Sequence, residues 1–90
     1  MNQSRIMEAL GILQEECAEV IQSVSKWRRA GPDFCPRGGR EPPYRDQLQS
    51  EVNDVKVIIE ILEGLGVLDP TTLESHRPQK LERLKAWSCL

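Results

Sequence analysis

The sequence predicts an all-α fold, organised as a single domain over residues 1–90. Apolar residues recur every three or four positions in two long segments, which is the period of one helix face. A segment rich in proline and glycine separates the two, and no alternating strand pattern occurs. A chain this short buries only a modest part of its surface, so we expect an oligomeric helical bundle, either a homodimer or a homotetramer.

The first helix is predicted from about Ser4 to Arg29. Its apolar face is formed by Ile6, Leu10, Leu13, Cys17, Val20, Val24 and Trp27. Steps of three and four place these side chains along one side of a long helix. Gly11 weakens the helix locally, which leaves room for a bend or a break there.

Ala30 to Pro43 is predicted to be a loop, because it contains three glycines and four prolines in fourteen residues. Loops of this length are often functional in compact domains. The basic stretch from Arg37 to Arg40 is either a phosphate contact or part of a solvated crossover.

A second helix is predicted from about Tyr44 to Leu65. Its apolar positions are Leu48, Val52, Val55, Ile58, Ile59, Ile61 and Leu62. Gly66 is the expected C′ residue after its end. Further on, Asp69 is the expected N-cap residue and Pro70 the first helical position. Because proline breaks helices, Pro78 is expected to separate a turn over 71–75 from a short terminal helix over 78–87.

The net charge and the cysteine content limit the binding partners and the cellular compartment that we expect. The net charge of −2 provides no basic field, so we do not expect nucleic-acid binding. We also expect no membrane partner. Cys17, Cys35 and Cys89 form no CxxC pair, and no apolar run resembles a signal peptide or a membrane span. A reduced, cytoplasmic setting is therefore expected. His76 is the only histidine, which gives no argument for zinc.

Two acid pairs are the most informative feature of the sequence. Glu16 and Glu19 on the first helix, and Glu51 and Asp54 on the second, are each spaced i and i+3. At about 100° per residue, each pair lies at one edge of the apolar face of its own helix, and the displacement is to the same side on both helices. Gathered acids repel one another, and a divalent cation such as Mg²⁺ relieves this repulsion with hard oxygen ligands. The alternative is that these pairs lie on solvent-exposed faces, as acids of acidic helices often do.

The motifs EExxE and ExxD, each on a predicted helix, resemble those of the all-α nucleotide pyrophosphohydrolases, and the MazG-like branch in particular. The resemblance rests on LQEECAEVIQSVSKWRRAG and SEVNDVKVIIEILEGLG and spans about Ile6 to Trp87. It implies Mg²⁺-dependent hydrolysis of a nucleoside or deoxynucleoside triphosphate, dGTP among the candidates, to the monophosphate and pyrophosphate. Mn²⁺ is expected to substitute. The loop between the motifs is longer than in many members, which leaves base recognition open.

The resemblance also assigns roles to individual residues. The metal ligands would be Glu16, Glu19, Glu51 and Asp54, with Glu15 supporting them or orienting a water molecule. The β- and γ-phosphates would meet basic residues near the ends of the first and last helices, namely Lys26, Arg29, Lys80 and Arg83.

Trp27 would stack on the base or, equally, pack in the core or an interface. The alternatives are a non-catalytic helical assembly module and a phosphoribosyl-ATP pyrophosphohydrolase.

Overall fold

A computed structural model describes residues 3–90, and all regular secondary structure in this range is helical. Helix α1 spans Gln3–Ala30, α2 Pro36–Gly39, α3 Tyr44–Gly64 and α4 Pro70–Trp87. Helices α1 and α3 are the one pair in the described range that packs extensively, as an antiparallel hairpin. The predicted all-α class is therefore confirmed, and α1 runs without interruption through Gly11.

The core lies between the first half of α1 and the second half of α3. Ala9 packs with Ile58 and Leu62, and Leu62 is completely buried. Partly buried leucines surround this cluster: Leu10, Leu13, Leu65 and Leu68. The predicted apolar positions supply Leu10, Leu13, Ile58 and Leu62, whereas Ala9, Leu65 and Leu68 were not among them. Burial of one stripe on each helix fixes the register of the hairpin.

The segment between α1 and α3 is folded back onto the start of α3. The Arg45 amide donates to the Pro32 carbonyl at 2.8 Å, and the Tyr44 amide to that of Phe34 at 3.1 Å. A salt bridge of 2.6 Å joins Arg45 to Asp33. The ring centroids of Phe34 and Tyr44 lie 5.5 Å apart. The predicted loop therefore has a defined path.

The single turn α2 was not predicted within this loop. Its backbone is irregular, because Arg37 and Gly38 have φ of 55° and 64°, in the left-handed region. Arg37 is the one described non-glycine residue with positive φ. Its side chain pairs with Glu41 at 2.9 Å, a local contact that accompanies this strained conformation.

The end of α3 agrees with the sequence prediction. Gly66 has φ of 78°. Its amide donates to the Glu63 carbonyl at 3.0 Å, and the Val67 amide donates to the Leu62 carbonyl at 2.9 Å. These two bonds form a Schellman motif, in which a glycine at C′ satisfies carbonyl groups that the helix leaves free.

The predicted break at Pro78 is wrong, because α4 is one helix from Pro70 to Trp87 with Pro78 inside it. Its start is as predicted: the Thr72 amide donates to Oδ2 of Asp69 at 2.9 Å. Pro78 cannot donate to the Glu74 carbonyl, but every residue of 70–80 is exposed, so water can reach that carbonyl. The missing bond therefore does not end the helix.

Helix α4 has no buried residue and does not pack extensively on α1 or α3. None of the helices in residues 3–90 has the length and apolar character that crossing a membrane requires.

Candidate metal centre

The acidic motifs meet halfway along the hairpin. Glu16 of α1 and Glu51 and Asp54 of α3 each place a carboxylate oxygen within 4.8 Å of the other two. We call these three residues the acidic triad. Because α1 and α3 are antiparallel, the middle of one lies beside the middle of the other, and this brings residues distant in sequence together.

The triad lies at the edge of the apolar interface. Glu16 and Glu51 are half-buried and Asp54 is exposed. A shallow cleft of about 230 Å³ opens beside Glu16 and Asp54, and its other walls are Ile12, Val57 and Ile58. The carboxylates therefore have an apolar wall on one side and solvent on the other.

The triad has uncompensated negative charge. The pKa of Glu51 is raised above its ordinary value of 4.5, first by burial and then by the charges of Glu19, Asp54 and Glu16. Lys26 acts in the opposite direction and lowers it. The salt bridges of the described residues join Arg37 to Glu41, Arg45 to Asp33 and Lys85 to Glu82, so none of them neutralises the triad.

The donor set fits a hard divalent cation. Three carboxylates from two facing helices offer only oxygen ligands, which Mg²⁺ and Mn²⁺ prefer, and they leave room for water or phosphate oxygens. A bound cation would also reverse the unfavourable charge that raises the pKa of Glu51.

Two of the five predicted acids lie outside the triad. Glu19 is exposed, yet it is close enough to Glu51 to raise the pKa of that carboxyl. Glu15 is also exposed. It precedes Glu16 by one residue, so it is rotated by about 100° about the axis of α1, away from α3. Their roles as a fourth ligand and as a supporting acid remain predictions.

The predicted phosphate-binding residues differ in their relation to the triad. Lys26 is half-buried and influences the pKa of Glu51. Arg29, Lys80 and Arg83 are exposed, and none of them is among the charges that shift this pKa. Lys80 and Arg83 lie on α4, which does not pack extensively on the two helices that carry the triad. Trp27 is half-buried, about 16 Å along α1 from Glu16 at 1.5 Å per residue.

Ser23 is a buried polar residue that the sequence reasoning missed. It is 4% exposed, and its hydroxyl has no hydrogen-bond partner among the described residues. Its spacing of seven from Glu16 gave a signal, since i and i+7 share a helix face.

Comparison with models of protein families, with curated proteins and with solved structures gave no significant match.

Proposed function

We propose that the chain is a metal-dependent nucleotide pyrophosphohydrolase, which cleaves a nucleoside or deoxynucleoside triphosphate to the monophosphate and pyrophosphate. The observation that carries the proposal is the convergence of Glu16, Glu51 and Asp54 within 4.8 Å. These are acids of the two motifs that resemble MazG-like enzymes, and their side chains come from different helices. Acids that served only solubility would gain nothing from this proximity, because like charges repel.

The triad would hold Mg²⁺ or Mn²⁺, with Glu19 next to it as a further oxygen donor. When bound, such an ion orients the triphosphate, acidifies the attacking water and offsets charge on the leaving pyrophosphate. The apolar wall formed by Ile12, Val57 and Ile58 limits water on one side of the carboxylates. Limited hydration strengthens their interaction with a cation.

Lys26 is the best-placed basic group for the leaving phosphates. It lies on α1, seven residues after Glu19, and its positive charge lowers the pKa of Glu51. Because residues at i and i+7 share a helix face, Lys26 and Glu19 project to the same side. A triphosphate held at the triad would extend along this side of α1 and meet the ammonium group there.

Pyrophosphate release from each common ribo- and deoxyribonucleoside triphosphate, with Mg²⁺ or with EDTA, tests the proposal. We expect release only with the metal. Glu51→Gln and Asp54→Asn should reduce it by more than about 100-fold, since even outer-shell partners of metal ligands cost about 10–100-fold. The control Glu60→Gln removes one α3 charge outside the triad and should retain activity.

Three outcomes would contradict the proposal. Activity retained in both triad variants would place the chemistry elsewhere. Cleavage of phosphoribosyl-ATP alone, included in the same panel, would identify a different pyrophosphohydrolase. No release from any nucleotide, together with an unchanged melting temperature on adding Mg²⁺, would favour the non-catalytic assembly module.

A further inference from the structure

The edge of the hairpin that carries the triad changes from acidic to apolar along its length. Steps of three and four residues follow this edge along each helix, away from the acids. They lead on α1 from Glu16 to Ile12 and Ala9, and on α3 from Asp54 to Ile58, Ile61 and Leu65. Because the two helices are antiparallel, both series run towards the same end of the hairpin. An apolar strip therefore continues the line of the carboxylates.

Two clefts adjoin one another on this edge. The cleft of about 230 Å³ beside the triad shares Ile12 and Ile58 with a second cleft of about 170 Å³. The second cleft is also lined by Ala9, Ile61, Leu65, Arg5 and Glu8. Ile12 is 36% exposed and Ile61 45% exposed, so a ligand can reach both side chains. We call the two clefts together the edge cleft.

The charges on this side of α1 give the edge cleft a direction. Glu8 and Lys26 are eighteen residues apart, about five turns, so they project to the same side of the helix, with Glu16 and Glu19 between them. The proposed path of the β- and γ-phosphates leads from the triad towards Lys26. Because the substituents of a tetrahedral phosphorus diverge, the nucleoside on the α-phosphate would extend the other way, along the apolar strip.

We infer that the edge cleft binds the nucleoside part of the substrate, with the base against Ile12 and Ile61 and one edge of the base at Glu8. The inference rests on the proposed function and adds to it the direction in which the substrate lies. Mostly apolar walls with a few polar groups are typical of small-molecule sites. Glu8 lies eight residues from Glu16, about 12 Å along α1.

Glu8 also indicates which base fits best. An ionised carboxylate only accepts hydrogen bonds, and its two oxygens can accept two at once. Among the common bases, only guanine presents two adjacent N–H donors on one edge, from its ring nitrogen and its amino group. We therefore expect guanine nucleotides to bind most tightly. This assignment replaces Trp27 as the base contact, because Trp27 lies beyond Lys26 on α1.

Calorimetry in Mg²⁺ with two kinds of probe tests the inference. Inorganic tripolyphosphate has no nucleoside, and α,β-methylene analogues of the nucleoside triphosphates have a P–C–P link that is not hydrolysed. The guanine analogue should bind more tightly than tripolyphosphate. Ile61→Ala should weaken the analogue by about 10-fold and leave tripolyphosphate unchanged, which also shows that the variant is folded. The control Ile21→Ala, at an isoleucine that is 66% exposed and outside the cleft, should change neither.

Glu8→Ala tests the base edge separately. It should reduce the preference for the guanine over the adenine analogue by about 10-fold, since hydrogen bonds to charged groups are the stronger ones. Tripolyphosphate should bind as before. Glu74→Ala, the same change at an exposed position outside the cleft, is the control. A guanine preference that survives Glu8→Ala, or that is lost instead in Trp27→Leu, would overturn the inference.

The two probes separate this inference from the proposed function. An analogue that binds no more tightly than tripolyphosphate would overturn the inference and leave metal-dependent cleavage intact. Equal weakening of both probes in Ile61→Ala would do the same. Failure of every probe to bind in Mg²⁺, together with no pyrophosphate release from any nucleotide, would overturn the proposed function and this inference with it.

Discussion

Glu16 of α1 and Glu51 of α3 hold carboxylate oxygens within 4.8 Å of one another, with both side chains half-buried. Neither forms one of the salt bridges of the described residues. Two adjacent carboxylates at the edge of a core are unfavourable unless a proton or a cation compensates them.

The first prediction is that Glu51→Gln stabilises the metal-free protein at pH 7. The folded-state pKa of Glu51 is raised, so the carboxyl favours folding when protonated and opposes it when ionised. Its contribution is fully present below the unfolded pKa and is lost as the pH rises through the folded pKa. We expect a gain of at least about 0.2–0.5 kcal/mol, the cost of one like-charge pair on a helix.

Urea unfolding in EDTA between pH 4 and 7, flanking the ordinary pKa of 4.5, measures this effect. The advantage of the variant should shrink towards pH 4, where the wild-type carboxyl is protonated. Glu60→Gln is the control for loss of charge on α3. A variant that is destabilised at pH 7 would show that Glu51 is structural.

The second prediction concerns metal binding without a nucleotide. Mg²⁺ or Mn²⁺ should raise the melting temperature, because a ligand that binds only the folded state stabilises it by about 2.7 kcal/mol at 100 times its Kd. The increase should disappear in Asp54→Asn and persist in Glu60→Gln. An equal increase in both variants would indicate binding away from the triad.

The third prediction separates Lys26 from the other basic residues. Lys26→Met should reduce kcat/KM by about 10–100-fold, the equivalent of a charge-assisted hydrogen bond of about 1.5–3 kcal/mol. It should also move the acid limb of the pH–rate profile to higher pH, because Lys26 lowers the pKa of Glu51. Arg28→Met, which removes an exposed charge two residues later, is the control. Equal losses in the two variants would refute a specific role for Lys26.

The fourth prediction concerns α4, whose stability as a helix receives little help from packing. Pro78→Ala restores the missing amide donor, and proline costs about 3 kcal/mol relative to alanine in a helix interior. Helix content by circular dichroism and amide protection along 74–82 should therefore both increase. Gln79→Ala, an exposed neighbour, should change them little. Unchanged helix content and unchanged protection in Pro78→Ala would contradict the prediction, because they would show that this proline does not weaken α4.

The local signals in the sequence predicted most of the helices. Periodic apolar residues predicted α1 and α3, and Gly66 predicted the end of α3. Asp69 and Pro70 predicted the start of α4. Pro78 was misleading because its cost is local and solvent can satisfy the Glu74 carbonyl. The turn α2 escaped prediction because its left-handed Arg37 follows no residue preference.

The sequence by itself determined that acids stand on the borders of two apolar helix faces, because helical spacing is a property of the local chain. Only the tertiary structure decided which of them meet. The packing of Ala9 against Ile58 and Leu62 sets the register of the hairpin, and this register joins Glu16 to Glu51 and Asp54 while Glu15 points away. The position of α4 was likewise undecided by spacing, because an exposed helix lacks the buried contacts that would fix it.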